Sequence, residues 1–367
     1  MRYSEQDYSA PACAALLEQK VRVVHDAMRE LGAPAPEVHA SPARHYRQRA
    51  EFRFWHEGDD AFYAMFDPAN PREPVRIDEF PPASQRINAL MQRLRAAVLR
   101  SPALKRKLFQ VEFLSTLANE ALVVLVYHRP LDAAWEDAAR ELSLALDAQL
   151  IGRSRGQRIV IGESFVTERL QVDGRELVLR QPEGCFTQPN AEVNRAMLSW
   201  ARAGCGAARG GLLELYCGIG NFTVALADRF DTVLATEINK VAIAAAQYNL
   251  AANGIDNTFI ARLSSAEASA ALARERPFRR LRDFDLDRFE AGTVLVDPPR
   301  AGLDARTLAQ VAGFGRIVYI SCNPQTLREN LVALAATHDI ERFALFDQFP
   351  YTHHLECGVT LQRRNAT

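Results

Sequence analysis

A thiol, several carboxylates and a glycine-rich turn recur through the second half of this chain, each placed just after a short apolar run. The segment Glu214-Leu-Tyr-Cys-Gly-Ile-Gly-Asn-Phe-Thr223 leaves the apolar run 212–215, turns on Gly218 and Gly220, and enters a helical pattern. Glycines in such a turn let the backbone approach a ligand closely. Glu237 ends the next apolar run, nineteen residues after Gly218, the offset at which a carboxylate can accept from a ribose diol. A dinucleotide site wants a third glycine and a helix N-terminus free for pyrophosphate. Asn221-Phe222-Thr223 stands there instead, which suits S-adenosylmethionine better than NAD. Asp297 follows the run 293–296 in Asp297-Pro-Pro-Arg300, where two prolines stiffen the loop. Cys322 follows the run 316–320, and Asn323-Pro324 behind it begins a helix whose positive end would favour a thiolate.

Glu356 joins the set through topology. If the final strand pairs antiparallel with the run 342–346, its beginning faces the edge where the parallel strands end. Leu355, Cys357, Val359 and Leu361 alternate onto one face, leaving Glu356 on the other. The plainer readings are a buried strand-end thiol for Cys322 and a solvated edge carboxylate for Glu356. His353-His354 lacks a His-Glu-x-x-His spacing and reads as loop polarity or substrate contact, so no metal is expected. Methylating an amine or hydroxyl needs no enzyme nucleophile, but C5 of a pyrimidine does. Addition of a thiolate at C6 makes C5 enolate-like, so that it attacks a sulfonium methyl; a base then removes the C5 proton and the thiol is eliminated.

The elements that must position these groups differ between the two halves. From residue 191 onward, a helix over 191–203, strands over 212–215, 232–235, 293–296 and 316–320, an Ala-rich helix through 250, and two final strands over 342–346 and 356–362 alternate regularly. That rhythm implies a mostly parallel sheet covered on both faces. The first part is an irregular mixture: a helix over 16–31, a strand over 44–55, a helix over 80–100, two strands within 111–127 joined at Ala118-Asn119, and a hairpin over 170–180 turning on Asp173-Gly174. The boundary falls at about 180, giving an α+β domain over 1–180 and an α/β domain over 181–367.

The chain has 367 residues, length for about two domains. With 48% hydrophobic and 24% charged residues it is neither disordered nor collagenous. Six cysteines, at 13, 185, 205, 217, 322 and 357, form no Cys-x-x-Cys pair, so a disulfide framework, a zinc knuckle and a four-cysteine iron–sulfur cluster are not expected. No apolar run approaches the roughly 18 residues of a spanning helix, and residues 1–10 lack a signal-peptide pattern. The expected setting is the cytoplasm, with no membrane partner. A net charge of −1 argues against a nucleic-acid partner at the level of the whole chain. Locally the picture differs. Arg47, Arg49 and Arg53 share one face of the strand over 44–55 with Glu51, and Tyr46, Phe52 and Phe54 share the other. Arginines with nearby rings suit phosphate contact and stacking on an unstacked base, although a solvated strand face would look the same. Lys105-Arg-Lys107 with Phe109, Tyr127-His-Arg129 and Arg153-Ser-Arg-Gly-Gln-Arg158 are further basic spots. The basic run Arg276-Pro-Phe-Arg-Arg-Leu-Arg282 reads as a loop.

Taken together, Phe186-Thr-Gln-Pro-Asn190, Glu214-Leu-Tyr-Cys-Gly218, Asp297-Pro-Pro-Arg-Ala-Gly302, Ser321-Cys-Asn-Pro324 and His354-Leu-Glu-Cys357 stand in the order of the RNA uracil-C5 methyltransferase family, which the sequence closely resembles over nearly its whole length. The resemblance implies a C-terminal Rossmann-like class I S-adenosylmethionine-dependent methyltransferase domain behind an N-terminal RNA-binding domain. It implies Cys322 as nucleophile, Glu356 as base, and Gln188, Tyr216, Asn221, Glu237 and Asp297 around S-adenosylmethionine. It also implies Arg53, Phe109 and His128 on the RNA side, Phe109 filling the gap left by a flipped-out base. The absence of an N-terminal β-barrel extension and of iron–sulfur cysteines favours the tRNA branch: a monomer acting on the T-arm of tRNA and on similar hairpins such as that of tmRNA. The alternatives are a ribosomal RNA uracil-C5 methyltransferase and an RNA-binding or RNA-folding module. An amino methyltransferase would carry an aromatic residue where Arg300 stands.

Overall fold

The computed structural model describes residues 8–67, 70–206 and 209–364. Its elements run α1 (Ala10–Arg29), β1 (Glu37–His39), β2 (Arg49–Glu57), β3 (Asp60–Asp67), β4 (Asn70–Ile77), α2 (Gln85–Arg100), α3 (Pro102–Lys105), β5 (Leu108–Ser115), β6 (Ala121–Tyr127), α4 (Ala133–Leu146), β7 (Gln149–Ser154), β8 (Gln157–Ile161), β9 (Phe165–Val172) and β10 (Arg175–Pro182). They continue with α5 (Ala191–Gly204), β11 (Gly211–Leu215), α6 (Asn221–Leu226), β12 (Thr232–Glu237), α7 (Lys240–Ala252), β13 (Thr258–Arg262), α8 (Ser265–Leu272), β14 (Ala291–Val296), α9 (Ala305–Val311), β15 (Arg316–Ser321), α10 (Pro324–Leu334), β16 (His338–Phe346) and β17 (Glu356–Arg363).

Two sheets carry the architecture. The larger has the order β1-β16-β17-β15-β14-β11-β12-β13. Its strands are parallel except β17, which runs antiparallel to both β15 and β16. The chain leaves β11 toward β12 and β13 on one side, then returns to β14 and β15 on the other, so a topological switch lies between β11 and β14. Ligands of open α/β sheets bind outside the carboxyl ends of the strands at such a switch. The expected Rossmann-like fold is therefore present, and its helices start where the sequence signals them. Asn190 caps α5 by accepting from Val193 N at 3.2 Å, Asn239 caps α7, and Asn323 caps α10 ahead of Pro324.

The smaller sheet, β4-β3-β2-β5-β6-β7-β8, packs one face against α2 and α4 through Phe52, Phe54, Val111, Phe113, Leu90, Leu94 and Trp135. Its strands β3, β4, β7 and β8 and the helix α4 were not read from the sequence. The strand expected from residue 44 begins only at Arg49, because His45 takes a positive φ of 58° and Arg47 forms isolated bridges with Ala83 and Asn190 instead of joining the ladder. Likewise α1 begins at Ala10, six residues before the expected start, where Ser9 accepts from Ala12 N. The hairpin β9–β10 turns on Asp173 and Gly174, with φ of 49° and 77°, and is longer than expected.

A cut at 180 does not follow the packing. β1 extends the larger sheet beside β16, and Leu17, Val24 and Met28 of α1 share a core with Leu213, Val296, Ile317 and Leu361. The hairpin packs Leu170, Val172, Leu177 and Leu179 into the core of α5 and α6. Asn249 on α7 and Asn253 at its C-terminal cap take up backbone groups of Arg180 and Val178. The smaller sheet, residues 49–161, is thus inserted between segments that build the larger one.

Candidate active site

The turn after β11 is conformationally unusual along its length. Tyr216 has a φ of 64°, Gly218 of 56° and Gly220, which caps α6, of 83°. A non-glycine residue in the left-handed region costs of order 1–3 kcal/mol and persists where the surroundings impose it. A Cβ on Gly218 would meet nothing within 4 Å, so the space over this turn is open. Glu237, at the end of β12, accepts from Gly218 N at 3.0 Å and from Ile238 N and Asn239 N at 2.7 and 2.8 Å. Those bonds leave acceptor capacity on the same carboxylate. A cleft with about 440 Å³ of empty space is lined by Gln188, Tyr216, Gly218, Asn221, Phe222 and Asp297 among others. Asn221 is held by an exchange of amide hydrogen bonds with Asn194, 2.9 Å each way. Gln188 Oε1 is buried without a hydrogen-bond partner.

Next to this cleft the reactive groups meet. Ser321 on β15 pairs with Cys357 on β17, so continuing the register by one residue sets Cys322 opposite Glu356. Val296 pairs with Tyr319, which brings Asp297 to the same edge. Glu356 is only 3% exposed, on an interior strand, which rules out a solvated edge carboxylate. Burial, reinforced by the charge of Asp297, pushes Glu356 up to about 8. Burial also raises Asp297 to about 7. Cys322 is half-buried, and burial together with the charges of Glu356 and Asp297 raises its thiol to about 11. This reverses the expectation of a ready thiolate. α10 does begin behind Cys322, but burial first, and then the carboxylates that follow β14 and open β17, raise the thiol.

Sequence reasoning missed a fourth acid. Glu214 lies inside β11, is 1% exposed, and has an oxygen, Oε2, without a partner; burial and Asp297 raise it to about 8. Its signal was the single carboxylate in the otherwise apolar strand Gly211–Leu215, since burying a charge is costly unless something compensates it. Asp297 lines the cleft, and its charge acts on both Glu214 and Glu356 behind it, so a cation in the cleft would favour the ionised form of Asp297. S-adenosylmethionine, with a sulfonium and an ammonium, is a ligand of that kind. The free oxygen of Gln188 and the remaining acceptor capacity of Glu237 fit its polar groups. Among the described residues no group of His, Cys, Asp and Glu is arranged to hold a metal ion.

At the smaller sheet, three residues expected together on the RNA side form one column, from β2, β5 and the residue after β6. The Arg53 guanidinium lies 3.4 Å over the Phe109 ring, and Phe109 stacks on His128 at 3.8 Å with 29° between the planes. They stand on the face opposite to α2 and α4, the one bearing Arg49, Glu51 and Arg53 of β2. Arg49 lines a crevice with Glu112, Leu114, Cys185 and Thr187. Arg47 is not on this face. It lies before β2, its Nε donating to Arg49 O at 2.8 Å, at the joint between Ala83 and Asn190. The basic run 276–282 is partly neutralised within its own neighbourhood, with Arg280 near Glu267 and Arg282 on Asp283.

A family model described as tRNA (Uracil-5-)-methyltransferase matches residues 12–364. A tRNA/tmRNA (uracil-C(5))-methyltransferase of Aromatoleum aromaticum is 57% identical over 353 residues, 96% of each chain. One of Chromohalobacter salexigens is 56% identical over 355 residues, 95% of each. Among solved structures, the Pyrococcus abyssi tRNA (uracil-54, C5)-methyltransferase in complex with S-adenosyl-L-homocysteine superposes with a TM-score of 0.71 at 23% identity, over 95% of this chain and 83% of that one, a likeness of fold.

Proposed function

The chain belongs to the tRNA (uracil-5-)-methyltransferase family, and from that premise we propose that it methylates C5 of the T-loop uridine of tRNA, and of T-loop-like hairpins such as that of tmRNA, as a cytoplasmic monomer. S-adenosylmethionine supplies an electrophilic methyl group to this reaction. Gln188, Asn221, Glu237 and Asp297, with the backbone at Tyr216 and Gly218, are the groups that hold it. Cys322 Sγ bonds C6 of the extruded pyrimidine, its proton passing to a neighbouring carboxylate, and the ring becomes nucleophilic at C5. After C5 has taken the methyl group, Glu356, still ionised because the thiol proton went to another carboxylate, removes the C5 proton; the C5–C6 double bond re-forms as the Sγ–C6 bond breaks, and the departing thiolate takes back its proton from that carboxylate. A base with an affinity for protons near the working pH is suited to that step, and Glu356 has one.

The observation that carries this reading is the register that faces Cys322 with Glu356 beside Asp297. Extruding a base costs a few kcal/mol. The Arg53–Phe109–His128 column is the device that offsets it, offering a ring and two cationic or polar groups to the RNA. The test is transfer of labelled methyl from S-adenosylmethionine to an unmodified tRNA transcript, compared with the same transcript carrying cytidine at the T-loop position. Label should enter the first and not the second; equal labelling, or none, contradicts the assignment.

A further inference from the structure

The buried face of α1 is apolar at Cys13, Leu17, Val24 and Met28, and interrupted once, by Lys20. A lysine is seldom buried unless its charge is answered. Here all three ammonium donors have acceptors on one segment. Lys20 Nζ pairs with the Asp347 carboxylate and donates to Phe349 O at 3.3 Å and His354 O at 3.2 Å. The Lys20 and Asp347 side chains are 8% and 1% exposed.

That segment, residues 347–355, connects β16 to β17 and delivers Glu356. Lys20 therefore grips the loop at its start, Asp347, and again two residues before Glu356. Other groups from the first 46 residues hold the middle. Tyr351, whose φ is 62°, has its hydroxyl 3.0 Å from Ala43 O and 3.2 Å from Ser9 O, two acceptors for its one O–H, and Tyr46 donates to Pro350 O at 3.3 Å. Asp347 N donates to His39 O at 3.0 Å, tying the same loop to β1. What an apolar side chain at position 20 would not supply is a single point joining both ends of the loop.

We infer that Lys20 is a positioning residue for Glu356: its ammonium joins the two ends of the 347–355 loop and so fixes where β17 begins and where the carboxylate stands against Cys322. The inference rests on Glu356 being the base that removes the C5 proton. Misplacing a catalytic group by about 1 Å can cost up to about a hundredfold in rate.

The test uses the full chain with Lys20→Met and with Lys20→Met/Asp347→Asn. The double variant leaves no unpaired carboxylate buried, so it reports on the lost bridge where the single variant fails to fold. Thermal unfolding establishes that each is folded before it is assayed. Expected for the folded variants are unchanged binding of S-adenosylmethionine, KM for tRNA within about threefold of the parent, and kcat lower by at least about tenfold. A denaturant-resistant protein–RNA adduct should also build up at steady state, as proton removal slows after methyl transfer. Wild-type kcat in a folded variant, or a loss confined to KM, overturns the inference. Glu356→Gln is measured alongside. If it stalls with an adduct while the Lys20 variants do not, the positioning role alone falls; if it turns over normally, the base assignment falls and the positioning role with it.

Discussion

At the scale of residues, the site is defined by acids held where water is scarce. Asp297, Glu214 and Glu356 all bind protons more tightly in the fold than in an unfolded chain, at about 7, 8 and 8. A carboxyl raised in this way leaves the folded state carrying more protons than the unfolded one between the ordinary carboxyl range and those values. Stability from these groups is therefore present at low pH and falls as pH rises through about 5 to 8. The unliganded protein should melt at a higher temperature at pH 6 than at pH 8.5 by scanning calorimetry. Saturating S-adenosylmethionine should narrow that gap, because a cation favours the ionised carboxylates, and S-adenosylhomocysteine, which lacks the sulfonium charge, should narrow it less. An unliganded protein that is more stable at pH 8.5 would contradict the carboxyl cluster. Asp297, Cys322 and Glu237 were legible in the sequence because each sits at the end of an apolar run, a local feature, and Glu356 because it opens a final strand that must run antiparallel. The raised proton affinity of Cys322 was not, because the burial that causes most of it, and the charges of Asp297 and Glu356 that add to it, come from the folded sheet. Glu214 stands in the motif Glu214-Leu-Tyr-Cys-Gly218, but that its carboxyl is enclosed follows only from the burial of the whole of β11.

At the scale of elements, most parallel strands and their helices could be read from their rhythm, whereas the irregular first half yielded only α1, α2, β2, β5, β6 and the β9–β10 hairpin, with shifted bounds. β3, β4, β7 and β8 lack clean alternation, since Asp60–Asp67 is buried at successive positions and Asn70–Ile77 carries two prolines on an edge. That α1 and β1 complete the larger sheet depends on contacts more than 300 residues apart in sequence, such as Lys20 with Asp347, which no local pattern announces. β17 is the element on which the chemistry turns, and Gly358 is its tightest point. A Cβ there would come within 2.7 Å of Trp200 and 3.1 Å of Phe346. Gly358→Ala should therefore destabilise by about 1–3 kcal/mol through overpacking. Because Glu356 lies two residues away on the same face, turnover should fall with S-adenosylmethionine affinity retained. Chemical denaturation and an initial-rate assay check both parts; unchanged stability would show that Trp200 yields freely.

At the scale of the whole molecule, a chain of net charge −1 places side chains of opposite charge on its two large sheets. Acids gather at the switch point of the larger sheet, where a cation belongs, and arginines with rings gather on the open face of the smaller one. The sum says little about an RNA partner; the placement says more. Arg53→Ala removes the upper member of the column on Phe109 and should weaken tRNA binding by about 1 kcal/mol, roughly fivefold, with S-adenosylmethionine affinity unchanged. Equal losses in both titrations would tell against the separation of tasks. The central claim, that Cys322 attacks C6 of a T-loop uridine and a base must then take the C5 proton, is tested most directly with tRNA transcribed with 5-fluorouridine. Fluorine cannot leave as a proton, so with S-adenosylmethionine present the reaction should halt as a denaturant-resistant adduct whose RNA-linked peptide contains Cys322, and Cys322→Ala should form none. No adduct, or one mapped to another cysteine such as Cys217 or Cys357, would contradict it.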